Sequence, residues 1–61
     1  MNVKIYGIDE KYVFGYPSAI KVEVKDAIGE NPKIVITELL GNKINYLNYD
    51  AKKYILLSAE M

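Results

Sequence analysis

Residues 33–50 read KIVITELLGNKINYLNYD. The first part, Lys33 to Leu40, carries apolar side chains at both odd and even positions, the pattern of a central strand covered on two sides. Gly41-Asn42 follows as a two-residue hairpin corner, in which Gly supplies the positive φ of a type II′ turn. Such a corner sets the register: Leu40 pairs with Lys43, Leu39 with Ile44, Thr37 with Tyr46, Ile36 with Leu47 and Ile34 with Tyr49. Side chains alternate along a strand, so a slip of one residue would turn the whole apolar set over.

Upstream, residues 19–26 alternate Ile20, Val22 and Val24 with Lys21, Glu23 and Lys25, a strand with one wet face. A five-residue loop, Ala27 to Asn31, joins it to the central strand and adds its apolar residues to the face of Ile34 and Ile36. Further upstream, residues 11–16 place Tyr12, Phe14 and Tyr16 on one side and Lys11, Val13 and Gly15 on the other, until Pro17 interrupts. Residues 2–6 alternate with Val3 and Ile5 together.

Downstream, Asp50-Ala51-Lys52-Lys53 is either a hairpin loop or the N-cap and first turn of a short C-terminal helix. The strand reading is preferred for the segment that follows. It pairs Tyr49 with Tyr54 and Leu47 with Leu56, extending the face that carries Ile34 and Ile36.

Short segments separated by Gly, Pro, Asn and Asp indicate an all-β fold. The expected architecture is a small antiparallel meander over residues 1–61, closing into an SH3-like or OB-like barrel or a two-layer sandwich. The register leaves a second face with Val35, Leu39, Ile44, Tyr46, Ile55 and Leu57, too apolar for a plain solvated surface. Its cover is either the N-terminal segment (Val3, Ile5, Tyr12, Phe14) or another chain.

A chain of 61 residues forms one domain and buries only about 60% of its unfolded surface. A core of that size supplies roughly 3–5 kcal/mol. No Cys is present for disulfides and no His or Cys for zinc, which leaves oligomerisation as the usual reinforcement. No charged-then-apolar leader opens the chain and no apolar run is long enough to cross a bilayer, so a cytoplasmic protein without membrane contact is expected.

Eight basic residues balance eight acids, and every basic residue is Lys. Phosphate binding draws on clustered positive charge, and the bidentate grip on phosphate or guanine belongs to Arg, so duplex DNA is disfavoured. With His, Cys and Arg all absent, no side chain titrates near neutrality and no activated nucleophile is evident; no catalytic residue and no cofactor is assigned. Asp9, Glu10, Asp26, Glu30 and Asp50 lack metal-loop spacing and read as solvated loop acids.

The aromatic count stands out: Tyr6, Tyr12, Phe14, Tyr16, Tyr46, Tyr49 and Tyr54. Tyr offers rigid area with a polar tip, suited both to a β core and to an interface. The expected function is therefore a non-catalytic protein–protein interaction module, a regulator or inhibitor that self-associates or docks on a larger protein. The candidate partner-binding residues are Tyr12, Phe14, Tyr16, Leu39, Ile44, Tyr46 and Leu57.

Within Lys11-Tyr12-Val13-Phe14-Gly15-Tyr16, the Phe-Gly-Tyr portion is similar to the aromatic-Gly-aromatic part of ribonucleoprotein motifs in RNA-binding sheets. It lacks the Gly that follows the leading Lys in those motifs. The resemblance implies an alternative function, single-stranded nucleic-acid binding, with Lys4, Lys11 and Lys21 contacting phosphates. A further alternative is a structural subunit of a homo-oligomeric assembly.

Overall fold

A computed structural model describes residues 1–61. It contains six strands and no helix: β1 (Asn2–Gly7), β2 (Tyr12–Tyr16), β3 (Ala19–Lys25), β4 (Lys33–Leu40), β5 (Lys43–Asp50) and β6 (Tyr54–Glu60). They form two antiparallel sheets of three strands, ordered β2-β1-β6 and β3-β4-β5.

The Gly41-Asn42 corner sets the register as expected. Leu40 lies opposite Lys43, Thr37 opposite Tyr46, and Ile34 opposite Tyr49. Gly41 has φ of 64°, and Asn42 is not among the residues with positive φ, the combination a type II′ turn requires. The β3–β4 hairpin places Val22 opposite Ile36 and Val24 opposite Ile34. Ile20, expected on that inner face, is instead the extra residue of a β-bulge between Ala19 and Lys21 and stands half exposed. The bulge brings the smaller Ala19 into the core in its place.

Two expectations are corrected. The C-terminal segment is a strand, but it does not pair with β5: β6 pairs with β1, with Gly7 opposite Tyr54 and Ile5 opposite Leu56. The reason lies in β1, whose Val3, Ile5 and Gly7 are buried. A strand so enclosed must have its backbone groups paired on both flanks, and β2 alone serves only one. Tyr49 still meets Tyr54, with ring centroids 4.7 Å apart, through packing between sheets.

The barrel, moreover, does not close. Neighbouring strands pair in the circular order of a closed meander except at β2/β3 and β5/β6, where the chain crosses between sheets. Pro17, which has no N–H to give to a ladder, stands at the first crossing. At the second, Asp50 Oδ1 accepts from Lys52 N at 2.9 Å and Ala51 N donates to Pro32 O at 2.9 Å, turning the backbone out of its sheet.

One core joins the sheets: Val3 and Ile5 from β1 meet Ala19, Ile34 and Ile36, flanked by Phe14, Val22, Leu47 and Leu56. The N-terminal segment therefore covers the face of Ile34 and Ile36, not the second face, for which it was one of two possible covers. Only nine of the 61 residues are buried, so stability rests on a handful of β-branched side chains.

Candidate interaction surface

The second apolar face divides between the outer sides of the two sheets. Val35, Leu39, Ile44 and Tyr46 stay together on the outer side of β3-β4-β5, since their positions alternate with core-facing Ile34, Ile36 and Leu47. Ile55 and Leu57 belong to the other sheet. There Leu57 is the extra residue of an irregularity opposite the Lys4–Ile5 step, and it is exposed.

The outer side of β3-β4-β5 is uneven. Along β3, Lys21 and Glu23 form an ion pair of 3.4 Å and lie opposite Thr37 and Val35. Both of these β4 residues are buried although they face outward, since β4 is the central strand and is flanked by β3 and β5 on both sides. Toward β5 the charges stop. Leu39 is 45% exposed, its cross-strand partner Ile44 49%, and Tyr46 65%. These three form an uncharged patch at the hairpin end of the sheet. Leu40, beside the corner and also exposed, extends it around the tip.

The aromatic stripe is placed differently. Tyr12, Phe14 and Tyr16 lie opposite Gly7, Ile5 and Val3 and so point between the sheets. Phe14 packs edge-on to Tyr12 and Tyr54, with centroids 5.0 and 6.2 Å away, and tilted to Tyr49 at 6.1 Å. The Tyr16 and Tyr49 hydroxyls are hydrogen-bonded. Phe14 and Tyr16 are thus half-buried core members, and only Tyr12 is largely open, at 61%.

Two tyrosines on this inner side titrate above their ordinary value. Burial, and then the negative charge of Glu38, raise Tyr16. For Tyr54 the main cause is the hydrogen bond its hydroxyl donates to Glu10 Oε2 at 2.9 Å. That contact belongs to the β1–β2 corner, where Gly7 leaves room: a Cβ there would stand 2.9 Å from Glu10 Oε2 and 3.1 Å from the Tyr54 ring. Glu38, buried on the inner side of β4, accepts a 3.3 Å hydrogen bond from Asn45 Nδ2. The loop acids do not converge, and no three carboxylates share one place.

Of the candidates chosen from sequence, the structure therefore gathers Leu39, Ile44 and Tyr46, sends Leu57 to the opposite side of the molecule, and turns Phe14 and Tyr16 inward. A further apolar row escaped sequence reasoning: Val13, Tyr6 and Ile55 lie side by side on the outer side of β2-β1-β6, with Val13 and Ile55 exposed. Alternation along 11–16 already put Val13 opposite in sense to Tyr12, but joining it to Ile55 requires the β1–β6 pairing. Comparison with protein-family models, with curated proteins and with solved structures finds no match for this chain.

Proposed function

We propose that this chain is a non-catalytic protein–protein interaction module, a two-layer β sandwich that presents the hairpin end of β3-β4-β5 to a protein surface and acts as a regulator by occupying it. One observation carries the reading: Leu39, Ile44 and Tyr46 are each at least 45% exposed, on one side of a sheet, with no charge among them. In water this arrangement leaves apolar area uncovered that association would bury. Tyr46, the most exposed of the three, is the residue type enriched where one protein meets another. The inward turn of Phe14 and Tyr16 favours this reading over base stacking, since their rings already pack against Tyr49 and Tyr54.

The test is a dilution series of the whole chain followed by amide chemical shifts. Association through this patch moves the amides of β4 and β5 with concentration and leaves β1 still. Replacing Leu39, Ile44 and Tyr46 together by Thr, a good strand former, abolishes the concentration dependence while the fold persists. Shifts that never change with concentration, or change equally in the triple variant, refute it.

A further inference from the structure

Two open sheets have four edges, and an edge strand with unpaired N–H and C=O groups pairs with another chain unless something blocks it. Three edges here carry a block. β2 is five residues long, contains Gly15 and runs into Pro17. β3 is bulged at Ile20 and bears Lys21, Glu23 and Lys25. β6 has the irregularity at Leu57. β5 has none of these: its eight residues, KINYLNYD, pair with β4 without interruption, contain neither Gly nor Pro, and are charged only at the two ends.

The hairpin corner decides which β5 groups are free. A two-residue loop closes on a hydrogen-bonded pair, here Leu40 and Lys43, and such pairs alternate with non-bonded ones along the ladder. Lys43, Asn45, Leu47 and Tyr49 therefore turn their backbone groups toward β4. Ile44, Tyr46, Asn48 and Asp50 turn theirs off the edge, and the Asp50 carbonyl already accepts from Lys53 N at 2.9 Å. The residues left with both groups free, Ile44, Tyr46 and Asn48, are symmetric about Tyr46.

The geometry points to a second copy of this chain as the occupant of that edge, paired antiparallel, β5 to β5, about a two-fold axis at Tyr46. This rests on the interaction-module reading and specifies its partner. Ile44 then pairs with Asn48 of the other copy, Tyr46 with Tyr46, and Asn48 with Ile44. Every free group of these residues is satisfied, and the two sheets become one of six strands. The antiparallel sense brings the Lys43 end of each strand to the Asp50 end of the other, opposite charges together, whereas parallel pairing would set like charges side by side. On the outer side the two Tyr46 rings become direct cross-strand neighbours with Ile44 on the diagonal, which joins the β5 parts of the two patches.

Residue 46 facing itself makes a specific test possible. The whole chain is examined by sedimentation over a wide concentration range as wild type, as Tyr46→Lys, as Tyr46→Glu and as an equimolar mixture of the two variants. Wild type is expected to show a reversible dimer. Each variant alone places like charges directly opposite and weakens dimerisation by about tenfold or more; the mixture restores it as a heterodimer. Asn48→Pro is the second probe: it deletes an edge N–H while leaving the β4 ladder whole, and should also yield a folded monomer. Dimers that survive either charge, or variants that fail to re-pair on mixing, overturn edge pairing. If such dimers nonetheless dissociate in the Leu39, Ile44, Tyr46 triple variant, the patch reading stands and the edge alone is refuted; a wild type monomeric at every concentration refutes both.

Discussion

Deleting one methylene at two isoleucines of the same hairpin separates the covered side of β4-β5 from the open side. Ile36 is 0% exposed and sits in the core with Val3 and Ile5. Ile36→Val removes a buried methyl group and leaves a cavity, at about 0.5–1.5 kcal/mol. Ile44 is 49% exposed; taking about 0.8 kcal/mol per fully buried methylene and halving it gives ~0.4 kcal/mol for Ile44→Val, with no cavity. The unfolding entropy, roughly 2.1 cal/mol/K per residue, comes to about 0.13 kcal/mol/K for 61 residues, so each kcal/mol moves Tm by about 8 °C. Thermal unfolding followed by circular dichroism, at concentrations too low for association, should then show a fall of about 4–12 °C for Ile36→Val and about 3 °C or less for Ile44→Val. Valine is used because Ile36→Ala, at about 2–5 kcal/mol, rivals the whole stability of so small a core. Equal shifts for the two variants would refute the assignment of faces on which the interaction patch depends.

Backbone geometry supplies a matched pair of variants. Gly41 has φ of 64° with nothing within 4 Å of a Cβ built on it, so Gly41→Ala costs backbone strain alone, about 1 kcal/mol, whereas Lys11, at φ of 55°, should gain up to about 1 kcal/mol as Lys11→Gly; urea midpoints moving the same way in both would contradict this. Alkaline pH supplies another prediction. Tyr16 titrates above its ordinary value of 10.0 because burial and then Glu38 disfavour its charged form, so the folded state holds that proton more tightly than the unfolded chain. Its contribution is complete below pH 10.0 and is lost as pH rises through the higher folded value. Urea midpoints should fall on that side of the range and fall less in Tyr16→Phe, with the remaining decline due to Tyr54, also raised; a wild-type midpoint unchanged through strong alkali would refute it.

The strands up to Asp50, their alternation and the β4-β5 register are legible in the residues alone, because these are local: side chains repeat every two residues, and a Gly at the first position of a two-residue corner admits one pairing. That Leu39, Ile44 and Tyr46 share a side follows from the same register, whereas residues 51–61 stayed open between strand and helix. Which strand β6 joins is settled by packing between the sheets, since Tyr49 and Tyr54 approach one another equally well across a ladder or across a core, and periodicity does not distinguish the two. Nor does any residue type announce the irregularities at Ile20 and Leu57, which follow from fitting strands between layers; the first took Ile20 off its expected inner face and the second left Leu57 unpaired in the β1–β6 ladder. The aromatic stripe turned inward for a related reason. Val3, Ile5 and Gly7 are too small to fill the space between the sheets, so Phe14 and Tyr16 help complete the core, and the uncharged patch lies on the far side of the other sheet.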